Sequence, residues 1–82
     1  MLETPLALVV EDEPQIRSLL CDALQTLDLR CNAARSMGEA REALAIETPQ
    51  IVVLDLGLPD GDGKTFIAEL RAWSEMPVLV LS

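Results

Sequence analysis

Four short apolar runs, separated by segments with helical spacing, form the main pattern along the chain. Leu6–Val10, Ile51–Leu54 and Val78–Leu81 are continuous apolar runs of strand length, a pattern typical of strands covered on both faces. Residues 29–34 alternate more weakly between apolar and polar positions, which favours a half-buried strand at an edge position. The pattern therefore predicts four strands.

The segment between the first two predicted strands has the spacing of an amphipathic helix that begins at Pro14. Proline suits the first turn of a helix, and the acidic residues 11–13 lie at the positive end of the helix dipole. Apolar residues then recur at spacings of three and four along one face. They are Ile16, Leu19, Leu20, Ala23, Leu24 and Leu27.

Two further helices are predicted before the third and the fourth strand. Ser36 and Glu39 match a capping box, in which the serine caps the helix and the glutamate reaches back,. Thr48-Pro49 ends this helix, because a residue before proline avoids the helical conformation. The inner faces comprise Ala40, Ala43 and Leu44 in the second helix, and Phe66, Ile67 and Leu70 in the third, which stops between Ser74 and Pro77.

The resulting order, β1-α1-β2-α2-β3-α3-β4, predicts an α/β fold in a single domain spanning residues 1–82. Short connections and continuous apolar strands favour a parallel sheet with helices on both faces. A chain of 82 residues is long enough for only one small domain.

Composition and charge exclude several classes of function. The chain has 14 acidic and six basic residues, a net charge of −8, and its basic residues are scattered. We therefore expect no direct binding of this segment to nucleic acid, which needs clustered lysine and arginine. The apolar runs are far shorter than the roughly 18 residues of a membrane helix, and no secretory signal opens the sequence. The absence of histidine removes the usual agent of zinc binding and of acid–base catalysis.

Cys21 and Cys31 have neither the spacing of a metal site nor that of a redox motif,. Nothing in the sequence places them in an oxidising compartment. We therefore expect two reduced thiols in a cytoplasmic protein.

Three carboxylates follow the ends of two separate predicted strands. Glu11 and Asp12 come after the first strand and Asp55 after the third. In a parallel sheet these ends lie at one edge, so the carboxylates converge if the strands are neighbours. Their repulsion must be relieved by a proton or a cation, and a few hard oxygen ligands suit Mg²⁺. A magnesium ion beside a carboxylate is typical of sites of phosphoryl transfer, in which an aspartate can be the nucleophile.

The more ordinary interpretation is that the acidic residues only favour a helix start and that Asp55 only caps a loop. This interpretation is disfavoured because acidic residues follow two separate strands at ends that would meet at the same edge of the sheet. Ser82 follows the fourth strand, where a hydroxyl at the same sheet edge could donate a hydrogen bond to a phosphoryl oxygen.

A calcium-binding EF-hand is the competing motif. Asp60, Asp62, Gly63 and Glu69 fit four positions of that loop,. Its first position would be Leu58, which offers no ligand, and a strand precedes the loop where a helix is required. Turn formation and a helix start are the simpler roles for residues 60–63.

The segments VVEDEP, LDLGLPDGDG and VLVLS together resemble the receiver domain of two-component response regulators. The resemblance covers essentially the whole chain and is strongest to the OmpR/PhoB class, and within it to KdpE-like regulators. It implies a flavodoxin-like (CheY-like) fold with sheet order 2-1-3-4-5. By position, Asp55 matches the phosphoacceptor of the family, and Ser82 matches its switch hydroxyl. Glu11 and Asp12 match the acidic pair that binds Mg²⁺. The backbone carbonyl of Gly57 matches a further metal ligand.

The resemblance also implies partners and a role. The phosphodonor in such systems is a sensor histidine kinase, and the output is transcription regulation through a DNA-binding domain that this chain does not contain. The chain is thus expected to be a signalling protein and not an enzyme; a small aspartate-nucleophile phosphatase is disfavoured because Gly57 stands where a general acid would be needed.

The family pattern continues past Ser82 with a helix, a lysine, a fifth strand and a last helix. Lys64, the only lysine of the chain, lies beside the third helix and does not match that lysine. We therefore expect a receiver shortened after its fourth strand, and the alternative function is a non-switching fragment that acts as a folding or interaction module. We expect self-association through Val78–Leu81, since an apolar edge strand is a template for another chain.

Overall fold

A computed structural model describes residues 4–81, and it contains a four-stranded parallel sheet. The strands are β1 (Leu6–Val10), β2 (Arg30–Ala34), β3 (Ile51–Asp55) and β4 (Val78–Leu81). Their order is β2-β1-β3-β4, so β1 and β3 are central and every neighbouring pair is parallel. The predicted topology is confirmed for these four strands, with β2 at one edge and β4 at the other.

The core is aliphatic and centred on the two middle strands. All five residues of β1 are buried, as are Val52, Val53 and Leu54 of β3. Continuous burial along a strand requires cover on both faces of the sheet. The unbroken apolar runs of the sequence follow directly from this position.

Three helices supply that cover: α1 (Pro14–Gln25), α2 (Met37–Ile46) and α3 (Gly63–Arg71). The helices α2 and α3 pack in one apolar cluster with alternate residues of the central strands. Since successive strand residues point to opposite faces, Ala7 and Val9 of β1 and Val53 of β3 face the other side, where α1 lies. The cluster comprises Leu8, Val10, Ala34, Met37, Ala40, Val52, Leu54, Leu58, Phe66, Leu70 and Met76.

The first turn of α2 is held by two caps. The Ser36 hydroxyl oxygen accepts a hydrogen bond from the Glu39 N–H at 3.1 Å, as the capping-box pattern predicts. Glu39 reaches back one residue further than predicted, because its carboxylate accepts from the Arg35 N–H at 3.0 Å. The second cap is Asp60, whose two carboxylate oxygens accept from the N–H groups of Met37 and Gly38 at 3.0 and 3.2 Å.

The prediction of two reduced thiols is wrong. Cys21 of α1 and Cys31 of β2 form a disulfide, with their Cα atoms 5.5 Å apart, and the described chain holds no free cysteine. Sequence spacing did not indicate the pair, because helix α1 turns back on β2 through the tight turn at residues 26–28 and brings the two positions together. Asp28 takes a positive φ of 63° in that turn, a conformation that aspartate tolerates better than most residues.

Helix α1 is covered much less than its apolar pattern predicts. None of its residues is fully buried, and Leu19 is 68% exposed. Strand β4 has a similar open side, because Leu79 is 54% and Val80 40% exposed. Both elements therefore present apolar side chains to solvent. Across residues 4–81, no helix combines the length and apolar character needed to cross a bilayer.

Candidate functional site

The two central strands bring the predicted acidic residues together. Val10 of β1 is in register with Leu54 of β3, so the next residues, Glu11 and Asp55, leave the sheet side by side. Glu11, Asp12 and Asp55 each offer a carboxylate oxygen, and these oxygens lie within 4.8 Å of one another. The structure thus forms the carboxylate cluster expected from the strand ends. We call these three residues the acidic cluster.

Burial differs across the acidic cluster. Glu11 is 4% exposed, whereas Asp55 is half-buried and Asp12 is exposed. Glu11 is anchored by its backbone, because its N–H donates to the Ala34 carbonyl of β2 at 2.9 Å. Its carboxylate accepts from the Glu13 N–H at 3.1 Å. The cluster therefore has a fixed, buried inner member and a solvent-facing outer side.

The position of Glu11 disfavours its ionised form. Burial raises the pKa of Glu11 above its ordinary value, the hydrogen bond from the Glu13 N–H acts in the opposite direction, and the charge of Asp55 raises the pKa again. A buried carboxylate beside a second negative charge is costly unless a cation or a proton compensates. This donor set, three hard oxygens with an exposed side, fits a divalent cation that keeps several waters.

Asp55 is oriented by the loop that follows it. The N–H of Gly57 donates to Oδ1 of Asp55 at 2.9 Å, and a Cβ placed at Gly57 would lie 3.4 Å from the same oxygen. The backbone at Gly57 therefore lies against the carboxylate. The N–H of Leu56 donates to the Leu81 carbonyl of β4 at 3.3 Å, which holds the start of the loop to the sheet.

Arg17 is a residue of the site that sequence reasoning missed. Its guanidinium donates to the backbone carbonyls of Glu11 and Asp12 at 3.1 and 3.3 Å. Within residues 4–81 no carboxylate lies in ion-pair range of Arg17. Its positive charge therefore lies behind the loop that carries two of the three acids, and it also acts at longer range on the carboxylate of Glu39 in α2. A single arginine at the start of an amphipathic helix carries no sequence signal for such a role.

The loop from Asp55 to α3 is fixed at its middle by Leu58 and Asp60. Leu58 is buried in the core cluster, and Asp60 caps α2. The two N–H groups of α2 hold the pKa of Asp60 below its ordinary value. Close packing of this loop on α2 also explains Gly61, where a Cβ would lie only 2.6 Å from Cγ of Met37.

The remaining candidates from the sequence have other positions or lie outside the described residues. Ser82 lies outside residues 4–81. Asp62 caps α3, accepting from the Lys64 N–H at 3.0 Å, and Glu69 pairs with Arg41 of α2 at 3.1 Å. With Asp60 at the start of α2, the acids of the EF-hand pattern have separate partners.

Comparison with known proteins identifies the fold family. Residues 7–82 match the family described as the response regulator receiver domain. The chain belongs to this family.

Among curated relatives, this receiver domain is similar to KdpE proteins. It is 47% identical to the KDP operon transcriptional regulatory protein KdpE of Escherichia coli K12 over 75 residues, which is 92% of this chain and 33% of that protein. It is 42% identical to the transcriptional regulatory protein KdpE of Mycobacterium tuberculosis H37Rv over 94% of this chain and 34% of the relative. The chain thus spans about a third of the length of these relatives.

Solved structures agree with this assignment. A receiver domain (CheY-like) from Methylobacillus flagellatus superposes with a TM-score of 0.86 at 25% identity, over 95% of this chain and 69% of that one. The BeF3-activated N-terminal receiver domain of RstA from Klebsiella pneumoniae superposes with a TM-score of 0.83 at 31% identity, over 92% of this chain and 64% of that one. The predictions of a CheY-like fold and of a KdpE-like receiver are confirmed.

Replacing Glu11 by glutamine tests the electrostatic cost of the acidic cluster. At neutral pH, Glu11→Gln should raise the free energy of unfolding in metal-free buffer by about 1 kcal/mol, since a neutral amide removes repulsion and keeps an acceptor for the Glu13 N–H. A carboxyl whose pKa is raised by folding binds more protons in the folded state, so its destabilising effect fades as pH falls. The advantage of the variant should therefore shrink as the pH falls from about 8 toward the range in which glutamate ordinarily titrates.

Urea unfolding of both proteins across this pH range, followed by circular dichroism, measures the difference. Glu42→Gln, on the exposed surface of α2, is the matched control and should show no such pH-dependent gain. A Glu11→Gln protein less stable than the parent at every pH would contradict the electrostatic cost assigned to Glu11.

Proposed function

We propose that this chain is the phosphoacceptor module of a KdpE-type response regulator and that Asp55 accepts the phosphoryl group. The observation that carries the proposal is the acidic cluster at the ends of β1 and β3, with Asp55 its half-exposed member on the strand-end edge. In a parallel α/β sheet, ligands bind beyond the carboxyl ends of the strands. A carboxylate there is reachable by a donor group on another protein.

The transfer needs a nucleophile and a charge partner. A carboxylate oxygen of Asp55 attacks phosphorus, the P–O bond forms as the P–N bond of a phosphohistidine breaks, and the departing imidazole nitrogen is protonated. We propose that the phosphohistidine belongs to a sensor histidine kinase; this segment has no histidine of its own. Receiver family membership supports this donor.

Mg²⁺ is the cofactor we propose, with Glu11, Asp12, Asp55 and the backbone carbonyl of Gly57 as its protein ligands. When bound, it neutralises charge on the carboxylates and on the phosphoryl oxygens. The raised pKa of Glu11, caused by burial and by the neighbouring charge of Asp55, supports a cation at this position. A cation would offset the negative charge of these carboxylates. Arg17 assists by holding the carbonyls of Glu11 and Asp12.

Ser82 is proposed as the switch hydroxyl. The preceding residue, Leu81, is in register with Asp55, so the chain leaves β4 next to the acceptor. A hydroxyl there would donate to a phosphoryl oxygen on Asp55.

Other roles follow from the proposed function. We propose a cytoplasmic location, where a sensor kinase presents its phosphohistidine, and no catalytic activity of its own. Transcription regulation would be exerted through DNA-binding parts of the whole protein, since this segment is acidic and carries no basic cluster.

A second candidate function is an interaction module that associates through β4. The observation favouring it is the position of β4 at the edge of the described sheet, with Leu79 and Val80 exposed. An edge strand without charge or proline presents free N–H and C=O groups to another strand. We propose pairing between copies of this chain along Val78–Leu81.

Asp55→Asn should abolish phosphorylation by acetyl phosphate with Mg²⁺, because an amide cannot act as the nucleophile. Intact mass spectrometry and a phosphate-trapping gel detect the acyl phosphate. The matched control is Asp22→Asn on the exposed side of α1, which should be labelled like the parent. Labelling that survives the Asp55→Asn substitution would refute the assignment, and a parent chain that is never labelled would favour the interaction module.

Asp12→Asn should weaken Mg²⁺ binding by about tenfold, a loss of roughly 1.4 kcal/mol for one carboxylate ligand. NMR chemical shifts of the backbone amides near Asp55, followed during a MgCl₂ titration, measure the affinity. Glu75→Gln, at an exposed position before β4, should leave it unchanged. Equal effects of the two substitutions would contradict the placement of the metal.

Leu79→Lys should reduce self-association, because a charge on the exposed edge strand opposes pairing with another strand. Analytical ultracentrifugation of residues 1–82 measures the association, which we expect to weaken by about tenfold or more. Ile46→Lys removes an equally apolar side chain, 85% exposed on α2, and should have no effect. A monomeric parent chain at high concentration would refute pairing through β4.

A further inference from the structure

The Cys21–Cys31 disulfide joins β2 to α1, the helix whose Arg17 contacts the backbone of the acidic cluster. Cys21 lies on α1 and Cys31 on the edge strand β2. Arg17 lies one turn before Cys21, and residues four apart share a face of a helix. The same face of α1 therefore carries both the bond to β2 and the guanidinium that holds the carbonyls of Glu11 and Asp12.

Helix α1 depends on this bond more than the other helices would. Both α2 and α3 insert fully buried residues into the core, whereas α1 has none. Elements with few buried contacts open locally at low free-energy cost. A covalent link in the second half of α1 therefore supplies a large share of what keeps this helix against the sheet.

The two cysteines also lie outside the apolar core. Both Cys21 and Cys31 are half-buried, neither belongs to the apolar core, and β2 is an edge strand, so the bond is not enclosed in the interior of the domain. In the cytoplasm, where the proposed function places the chain, disulfides are rare and are usually transient or redox-sensing. A disulfide outside the core in that compartment is more consistent with a reversible bond than with a permanent one.

We propose that Cys21–Cys31 is a reversible redox modification site that sets the position of α1 and, through Arg17, the metal affinity of the acidic cluster. Reduction proceeds by thiol–disulfide exchange with a dithiol reductant. One reductant thiolate attacks one sulfur and forms a mixed disulfide while the other cysteine leaves as a thiolate. The second reductant thiol then displaces the first cysteine. Two electrons and two protons pass to the protein as the reductant becomes a cyclic disulfide.

The test compares oxidised and dithiothreitol-treated protein over residues 1–82. Thiol alkylation and intact mass report the state of the bond, since the chain has no other cysteine. Hydrogen exchange should become about tenfold faster across residues 18–25 of α1 on reduction and stay unchanged in α2. Mg²⁺ affinity, measured by NMR titration, should fall about threefold as Arg17 loses its fixed position. Reoxidation should restore both values.

Two variants separate the parts of the proposal. The double variant Cys21→Ser with Cys31→Ser should resemble the reduced protein and not respond to dithiothreitol. In Arg17→Gln the link to the site is removed, so reduction should leave its Mg²⁺ affinity unchanged while still loosening α1. That pattern would show that Arg17 carries the effect.

Three results would overturn the proposal. A bond that resists dithiothreitol in native buffer and opens only in denaturant is structural. Reduction without faster exchange in α1 shows that the bond does not hold the helix. A reduced protein with unchanged Mg²⁺ affinity removes the link to the site. If no state of the chain binds Mg²⁺, the proposed function fails, and alkylation with hydrogen exchange still decides whether the bond is a redox site that holds α1.

Discussion

Repulsion among three carboxylates, forced together by the pairing of β1 with β3, is the constraint on which the arrangement of this domain depends. Strand β1 is buried along its whole length and β3 at its three middle residues, and the two are in fixed register, so the backbone holds Glu11 and Asp55 side by side. Burial of the apolar strands supplies the free energy that offsets this unfavourable placement. The carboxylates at the carboxyl ends of β1 and β3 therefore repel one another in the folded protein. Binding of a cation there lowers this repulsion, and a phosphoryl group bound with its metal changes the charge at the same place.

The residues around the acidic cluster contribute mostly through the backbone. Arg17 binds carbonyl oxygens, Gly57 donates its N–H to Asp55, and the N–H of Glu13 donates to Glu11. Contacts of this kind orient the acids without neutralising them. An ion pair with Arg17 would have lowered the cost of the cluster and also its affinity for a metal. The arrangement therefore orders the three acids but, within the described part of the chain, leaves their negative charge without an ion-pair partner. Such a site suits the reversible binding of a cation.

Much of the fold could be predicted from the sequence because it depends on local patterns. The apolar runs located the strands, Pro14 and Ser36 marked helix starts, and the matching strand ends indicated that Glu11, Asp12 and Asp55 meet. Contacts between distant residues could not be predicted in the same way. The Cys21–Cys31 pair depends on how the turn at Asp28 folds α1 back on β2, and the Asp60 cap joins positions 22 and 23 residues apart. The exposure of Leu19 depends on what covers α1, which the helical period alone does not specify.

Asp60 has a consequence for the spacing of the loop that carries Gly57. Its carboxylate is tied to α2, Asp55 is tied to the sheet, and Leu58 is buried between them. The four residues from Leu56 to Pro59 therefore connect two anchored positions and must span a fixed distance. One inserted residue would force the chain to give up either the cap on α2 or the burial of Leu58. The length of this segment is consequently as strongly constrained as its chemistry.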